Sequence, residues 1–257
     1  MNEKSNPESE NIYATLAADE NLNSLDQKRL EIIRAATSWG NCDVYLYELD
    51  HGVKVLLKTI YGHPFLIKKF FWNGMLQRET MMMKAVQEKV PGHSAKCLAM
   101  PSSGIMVQEF LSGYKRLYST KHYTAGTYPP VELFYQIKDY VDLLHENGIV
   151  HGDLRKANVM VDSHWHFRIV DWTTGMERPQ KSFWYFFHAW VFHVLEAADD
   201  IAVQKMGLYY YPDKFPKLKK PAWYMRAGDW YRHYIYRRGI KRMRRWIGKQ
   251  CEKLCKK

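Results

Sequence analysis

The sequence lacks the features that would place it in a membrane, in a secretory compartment or around a metal cluster. Its 257 residues contain no run of about eighteen uncharged apolar residues, the length that a membrane-spanning helix requires. Residues 1–13 lack the basic start and apolar core of a secretory signal. The four cysteines, Cys42, Cys97, Cys251 and Cys255, form no C-x-x-C pair and no spacing typical of zinc sites. We therefore expect a cytosolic protein with reduced thiols.

Acidic residues are scarce at the C-terminal end. Residues 214–257 contain sixteen Lys or Arg but only Asp229 and Glu252, in a chain whose net charge is +11. The remainder is therefore slightly acidic, and the basic character belongs to the tail. This distribution favours a docking surface for something anionic over a uniform nucleic-acid coat.

The first half of the sequence predicts a small antiparallel sheet. Residues 1–23 are polar and acidic, and we expect them to be loosely packed. A possible capping box at Ser24 and Gln27 predicts a short helix to residue 36. Patterns typical of strands follow at residues 44–47, 53–57, 65–68 and 104–108, and a helix is predicted at residues 76–88.

The second half reads as mainly helical. Apolar spacing predicts a helix at residues 133–144, ended by Asn147 and Gly148. Two short strands are expected at residues 159–161 and 167–170. Residues 182–195 are strongly aromatic and too short to span a bilayer, so we expect a buried helix there.

The most informative stretch is His-Gly-Asp-Leu-Arg-Lys-Ala-Asn at residues 151–158, followed by Asp171. Asn158 comes five residues after Asp153, and Asp171 comes eighteen after it. The stretch lies between a predicted helix and a predicted hairpin. In spacing and context it resembles the catalytic loop and metal-binding aspartate of the protein-kinase-like superfamily. The alternative is that Asp153 caps a turn, Asn158 begins a strand and Asp171 is a surface residue.

The resemblance implies an α+β fold of two lobes, with a small antiparallel-sheet N-lobe and a mainly helical C-lobe. We assign residues 1–37 to a flexible segment and short helix, 38–112 to the N-lobe, and 113–257 to the C-lobe with its basic tail. It also implies ATP and Mg²⁺ as cofactors. Asn158 and Asp171 would be the oxygen ligands of Mg²⁺. Asp153 would orient the attacking hydroxyl, and Arg155 would clamp the transferring phosphoryl group.

The same resemblance implies the residues that hold the nucleotide. Kinase-like folds pair a lysine on the third strand with a glutamate on the next helix. Lys68 is the expected lysine, with Lys69 as its competitor. Glu79 is the expected glutamate, with Glu88 as the alternative. Residues 108–111 resemble the hinge whose backbone meets adenine, which assigns Glu109 and Leu111 to cofactor binding.

Several features depart from the protein-kinase pattern. No G-x-G-x-x-G is present, and the predicted turn between the first strands has only Gly52. Trp172 and Thr173 replace Phe-Gly after Asp171, no A-P-E motif follows, and Gly152 stands where protein kinases usually have arginine. Together with the compact size and basic aromatic tail, these features resemble the bacterial lipopolysaccharide core kinases. That resemblance implies a phosphotransferase acting on a heptose or 3-deoxy-manno-octulosonate hydroxyl of the inner core.

Two alternatives remain: a small-molecule kinase of the aminoglycoside or choline type, and a catalytically weak binding module of the same fold. The tail bears on the partners. From Ile240 its apolar and basic residues alternate as in a basic amphipathic helix. We expect it to dock on an anionic membrane surface at the inner face of the cytoplasmic membrane, or to pack on the large lobe. Nucleic acid is the less favoured partner because no recognised binding module is present.

Overall fold

The computed structural model describes residues 7–18, 22, 25–34, 42–59, 73–99, 105–117, 128–179 and 185–216. Lys68 and Lys69, the strand expected at residues 65–68 and the amphipathic helix expected from Ile240 lie outside these ranges. In chain order the elements are α1 (Pro7–Ala18), β1 (Leu30–Arg34), β2 (Asp43–Glu48), β3 (Lys54–Thr59), α2 (Asn73–Lys89), β4 (Cys97–Ala99), β5 (Ile105–Glu109), β6 (Lys115–Arg116), α3 (Val131–Glu146), β7 (Ile149–Val150), β8 (Val159–Val161), β9 (Phe167–Ile169), β10 (Met176–Glu177) and α4 (Tyr185–Tyr210).

An antiparallel sheet forms the first half of the described chain, as predicted. Its five strands lie in the order β1-β2-β3-β5-β4. Smaller sheets, β6-β8-β9 and β7-β10, accompany the helices of the second half. The α+β class and the division into a sheet-rich and a mainly helical part are therefore confirmed.

The helix predicted at residues 24–36 is wrong. Asp26, rather than Ser24, caps a single 3₁₀ turn at Gln27–Arg29, and the chain then enters β1. The β-branched residues Ile32 and Ile33 suit a strand, and pairing with β2 supplies the backbone hydrogen bonds. The sheet thus begins upstream of the N-lobe boundary that we placed at residue 38, and β3 is its third strand in the sequence.

The N-terminal segment also differs from the expectation of loose packing. Residues 7–18 form α1, whose Leu16 and Ala17 are buried. These two side chains join an apolar cluster with Val55, Leu57 and Val107 of the sheet. Tertiary burial of this apolar face outweighs the polar composition of the segment.

Alternation along the central strands gives the sheet two distinct faces. On β3, Val55 and Leu57 are buried in the cluster with α1, whereas Leu56 and Lys58 point into a cleft on the opposite face. Because successive side chains of a strand point to opposite sides, this strand both packs the core and supplies a polar side chain to the cleft.

The aromatic stretch forms the start of α4, but the prediction that it is buried is wrong for its first turns. Phe186 is 85% exposed, Phe187 57% and Trp190 54%, whereas Phe192 is buried. Further along the helix, Asp199, Val203 and Met206 are also buried. Within the described ranges, no helix combines the length and hydropathy needed to cross a bilayer.

The packing of α1 is testable by truncating its buried leucine. We expect Leu16→Ala to lower the free energy of unfolding by about 2–3 kcal/mol, because it removes apolar contacts and leaves a cavity against the sheet. Ile12→Ala, at a position of α1 that is 45% exposed, is the matched control and should change it little. Urea unfolding measures both. Equal, small effects would show that α1 does not pack on the sheet.

Candidate active site

A buried aspartate on α4 anchors the loop between β7 and β8. The Asp199 carboxylate, in a residue only 1% exposed, accepts hydrogen bonds from the backbone N–H of His151 at 2.7 Å and of Gly152 at 3.0 Å. Thr174 adds a hydroxyl bond to the His151 carbonyl at 3.0 Å. The loop that carries Asp153 is therefore fixed by its backbone to a helix 48 residues further along the chain.

The backbone conformation at residue 152 explains why this position is a glycine. Its φ is +77°, the left-handed region that only glycine adopts freely. A Cβ at this position would lie 3.0 Å from the Thr174 carbonyl oxygen and 3.3 Å from Leu195 Cδ2. The arginine that protein kinases usually have here therefore does not fit this loop without local rearrangement.

The predicted loop residues come together. Asn158 Nδ2 donates a hydrogen bond to the Asp153 carbonyl oxygen at 2.9 Å. The amide oxygen Oδ1 of Asn158 is therefore the atom that can bind a cation. Arg155 Nε lies 3.3 Å from Asp153 Oδ2, and the two side chains are 59% and 39% exposed. Asp153 and Arg155 thus form a solvated pair beside the buried Asn158.

Asp171 follows β9 in a left-handed conformation, with φ +70°. Its Oδ1 accepts the Thr173 hydroxyl at 2.7 Å, and the same hydroxyl lies 3.3 Å from Glu79 Oε2. Burial alone would raise the pKa of the Asp171 carboxyl, but the Lys58 charge and the Thr173 hydrogen bond lower it below its ordinary value. The stabilisation from this ionised carboxylate is present above about pH 4 and is lost as pH falls through the lowered pKa. Asp171 is therefore an anion at neutral pH.

The lysine that pairs with Glu79 is Lys58. Lys58 Nζ and Glu79 Oε1 form an ion pair in which the side chains are only 12% and 3% exposed. Burial alone would lower the pKa of Lys58, but the negative charges of Glu79 and Asp171 raise it above its ordinary value. The stabilisation from this ammonium is complete below about pH 10 and is lost as pH rises through the raised pKa.

The prediction of Glu79 as a paired glutamate thus has a partner in the structure, although not the predicted one. Lys68 lies outside the described residues, so its own assignment stays a prediction. The alternative Glu88 is exposed on α2. With β1 included, β3 is the third strand in sequence order and carries Lys58. The strand expected at residues 65–68 lies outside the described residues.

Trp172 takes the place of the phenylalanine that usually follows the metal-binding aspartate. The residue is fully buried, and its indole N–H donates to Ser94 Oγ at 2.9 Å. Its ring centroid lies 4.7 Å from that of His151, whose Nε2 is 3.2 Å from the Val170 carbonyl. Trp172 and His151 therefore brace the two loops that carry Asp153 and Asp171.

One cleft lies between the sheet and the helical part. Its volume is about 280 Å³, near the lower end of small-ligand sites. Arg155 and Asn158 are among its lining residues, whereas Asp153 is not and adjoins them through its ion pair with Arg155 and its carbonyl bond to Asn158. At one end lie Lys58, Asn158 and Asp171, and the predicted hinge contributes Glu109 and Leu111. Other lining residues are Ile33, Arg34, Val44, Leu56, Gln108, Phe110, Tyr114, Arg116, Arg155, Ala157, Met160 and Val170.

The turn between the first two strands, where kinases have the glycine-rich loop, is the segment between β1 and β2 and not the turn at Gly52. Gly52 belongs to a 3₁₀ turn between β2 and β3, so it is not the turn between the first two strands. If Val44 is taken as the valine of G-x-G-x-x-G-x-V, the three glycine positions hold Thr37, Trp39 and Cys42. Burial raises the pKa of the Cys42 thiol to about 12, so Cys42 places a neutral side chain where a glycine is expected.

The donor set fits a divalent cation bound with a nucleotide. The Asn158 amide oxygen and the Asp171 carboxylate are hard oxygen ligands on adjacent loops, joined by the Val170 N–H to the Asn158 carbonyl at 2.9 Å. Mg²⁺ takes one or two such ligands from protein and others from substrate phosphates. The nearby Lys58 ammonium supplies further positive charge for phosphate oxygens.

A second acidic cluster, formed by Asp142, His145 and Asp200, also has ligand spacing. Lys138 already supplies a cation there: it forms an ion pair with Asp142 and lies 3.5 Å from Asp200 Oδ1. This cluster is therefore a lysine-neutralised surface network of α3 and α4.

Comparison with known families identifies the fold to which this geometry belongs. The protein kinase domain family matches residues 44–188, more than half of the chain. The chain belongs to the protein kinase domain family. The matched residues extend from β2 through the loop at 151–158 and Asp171 into the first turn of α4. Members of this family generally use ATP and Mg²⁺, which agrees with the ligands that the cleft presents.

Two plant relatives illustrate how distant the similarity is. A serine/threonine-protein kinase-like protein of Arabidopsis thaliana is 30% identical over 89 residues, covering 33% of this chain and 26% of that protein. CBL-interacting protein kinase 9 of Oryza sativa subsp. japonica is 26% identical over 139 residues, covering 50% of this chain and 30% of that protein. The matched part of the chain thus spans less than a third of each relative's length.

Sequence reasoning missed two residues of this kinase-type site. Lys58 ends the stretch Val-Leu-Leu-Lys, which follows the V-A-I-K pattern of the third kinase strand. This pattern could have identified Lys58 from the sequence. Asp199 had no comparable local signal, because its role depends on two backbone groups far away in the sequence.

The lysine assignment can be tested by comparing two substitutions. Lys58→Met strands the buried Glu79 carboxylate, so we expect a loss of about 3 kcal/mol in the free energy of unfolding. We also expect weaker ATP binding. Adding Glu79→Gln should recover most of the stability but not the ATP affinity. Urea unfolding and titration calorimetry measure the two effects.

Lys68→Met is the competing substitution. If Lys58 is the nucleotide lysine, Lys68→Met should leave both quantities close to those of the unsubstituted protein. If Lys68→Met abolishes ATP binding and Lys58→Met does not, Lys68 is the nucleotide lysine and the Lys58 assignment fails.

Proposed function

We propose that the protein is an ATP- and Mg²⁺-dependent phosphotransferase that phosphorylates a sugar hydroxyl of an anionic, membrane-held glycolipid, such as the inner core of lipopolysaccharide. The observation that carries the catalytic part is a cleft lined by Lys58, Asn158 and Asp171, in which Lys58 is paired with Glu79 and the Asp153 carbonyl is hydrogen-bonded to Asn158. A binding module without activity would have no need to keep all three oxygen-bearing side chains.

Each side chain has a defined task in the proposed reaction. Asn158 and Asp171 would hold Mg²⁺, which neutralises charge on the phosphates. Asp153 accepts a hydrogen bond from the acceptor hydroxyl and takes its proton as the oxygen–phosphorus bond forms and the bond to the ADP oxygen breaks. Arg155, next to Asp153, neutralises charge on the phosphoryl oxygens.

The chain after Asp171 favours a small acceptor over a protein. Trp172–Thr174 form a 3₁₀ turn, β10 ends at Glu177, and only residues 178–184 separate it from α4. This connection leaves little backbone along which an extended peptide would be held. Gly152 also supplies no arginine to receive a phosphorylated segment. We therefore favour a glycan hydroxyl. The names of the two plant relatives favour a protein serine or threonine as the second candidate.

A membrane-held acceptor is supported by two independent features. Phe186, Phe187 and Trp190 form an exposed aromatic patch on the first turns of α4, with the Phe187 and Trp190 ring centroids 6.2 Å apart. Residues 214–257 supply the strongly basic sequence that an anionic bilayer attracts. Exposed aromatic side chains and basic sequence are each typical of proteins that bind at a lipid interface.

The catalytic assignment is tested with Asp153→Asn. Phosphate transfer from ATP to lipid-linked core oligosaccharide should fall by about a thousandfold, because general-base catalysis typically contributes 10²–10⁴-fold. Calorimetric Mg-ATP affinity should stay within about threefold of the unsubstituted protein, since Asp153 is not one of the assigned ligands. Asp162→Asn, at a turn aspartate between β8 and β9, is the matched control for transfer.

Acceptor identity is decided in the same assay. Transfer to aminoglycosides, choline or a protein substrate at a higher rate than to the glycolipid would replace the proposed acceptor. Equal rates for Asp153→Asn and the unsubstituted protein would remove the catalytic role of Asp153. Mg-ATP binding without transfer to any acceptor would favour the binding module.

Membrane docking is tested by sedimentation with lipid vesicles. We expect the full chain to bind vesicles that contain phosphatidylglycerol and not those of phosphatidylcholine alone. Phe186→Ser combined with Trp190→Ser should weaken binding at least about tenfold, because each buried ring contributes about 1.5–3 kcal/mol. Lys241→Glu with Arg242→Glu should also weaken binding, by about 1 kcal/mol for each lost cation.

Leu143→Ser on α3, at a position that is 44% exposed, is the control for a general loss of surface apolarity and should bind as the unsubstituted protein does. Binding that is the same for every variant, or absent from phosphatidylglycerol vesicles, would contradict the docking proposal.

A further inference from the structure

The phosphate end of the cleft contains an arginine that no kinase motif assigns. Arg34 is the last residue of β1 and lines the cleft together with Lys58 and Asp171. It contributes to lowering the pKa of Asp171 and that of Cys42, although other charges act more strongly, so its charge lies toward this end of the cleft. Its side chain is exposed, and no carboxylate of the described residues lies within ion-pair distance of it.

A bulge in β1 directs Arg34 toward the cleft. Leu30 lies opposite Tyr47 and Ile32 opposite Tyr45, but Arg34 lies opposite Val44, so the pairing shifts by one residue at Ile33. Regular alternation would send Ile33 and Arg34 to opposite faces, whereas both line the cleft. Bulges commonly re-aim side chains beside active sites.

The other cations of the cleft differ from Arg34 in partner or position. Lys58 is paired with Glu79, and Arg155 with Asp153. Arg116 lies on β6 opposite Met160, and the main influences on the pKa of Asp171 include Arg34 but not Arg116. Among the described residues, Arg34 is therefore a guanidinium without a carboxylate partner near Lys58 and Asp171, where phosphates would bind.

The adjoining segment lacks the usual glycine pattern. In G-x-G-x-x-G loops the glycines let backbone N–H groups approach the phosphates. Here the corresponding positions hold Thr37, Trp39 and Cys42, so that approach lacks its glycines. A guanidinium makes charge-assisted, bidentate hydrogen bonds to phosphate oxygens and can supply equivalent donors.

We propose that Arg34 is a side-chain phosphate clamp that replaces the glycine-rich loop in holding the β- and γ-phosphates of the nucleotide. This inference rests on the proposed ATP-dependent function and assigns a nucleotide-binding residue within it. The bulge at Ile33 is the local feature that brings the guanidinium to the phosphates.

Calorimetric titration of the full chain with Mg-ATP, ADP, AMP and adenosine tests the clamp, with no need for an acceptor. Arg34→Gln should weaken ATP binding about tenfold or more, as expected for one lost charge-assisted contact, and leave adenosine binding unchanged. The loss should grow with the number of phosphates. Arg34→Lys should recover part of the affinity, because it restores the charge without the bidentate geometry.

Arg116→Gln is the matched control from the same cleft, and its effect should not grow with phosphate number. If Arg34→Gln binds ATP as tightly as the unsubstituted protein, or loses the same factor for all four ligands, the clamp is overturned while the proposed function stands. If the unsubstituted protein binds adenosine but gains nothing from added phosphates, the clamp is likewise overturned. If it binds no nucleotide at all, the proposed function fails and the clamp with it.

Discussion

The ion pair between Lys58 and Glu79 joins the three parts of the structure on which the site depends. It connects the sheet through β3 to α2, and the Thr173 hydroxyl extends it to Asp171 on the helical side. Buried pairs of this kind contribute little net stability, because removing two charges from water offsets much of their attraction. Their effect is geometric: a carboxylate and an ammonium enclosed together must face each other, and this fixes α2 relative to the cleft.

A second constraint acts on the helical side. The Asp199 carboxylate accepts hydrogen bonds from two backbone N–H groups. These bonds hold the loop of Asp153 and Asn158 without involving either of those side chains. The Asn158 side chain can therefore line the cleft, while the backbone of the loop is fixed to α4. Trp172 adds an apolar brace between this loop and the turn at Asp171. Positioning and chemistry are thus divided between different residues, as expected where catalysis relies on preorganised charge.

The sequence predicted the parts of this arrangement that are encoded locally. The spacing of Asp153, Asn158 and Asp171 identified the loop, and regular alternation identified β2, β3 and β5. Residues 24–36 were misassigned because a capping-box pattern competed with two adjacent isoleucines, and pairing with β2 decided between them. The exposure of the aromatic side chains at the start of α4 was also missed. An aromatic composition predicts burial, but it does not reveal which of these side chains have no other element of the described chain to pack against. The bulge that directs Arg34 toward the cleft has no recognisable sequence pattern and could not be predicted from this sequence alone.

The left-handed backbone at Gly152 restricts how this branch of the fold is related to regulated protein kinases. Its Cα hydrogen points where a side chain would meet the Thr174 carbonyl and Leu195. A single codon change to arginine would therefore strain the loop rather than create a phosphate receptor. A larger residue at this position would need compensating changes near Thr174 and Leu195, the two groups that its Cβ would meet.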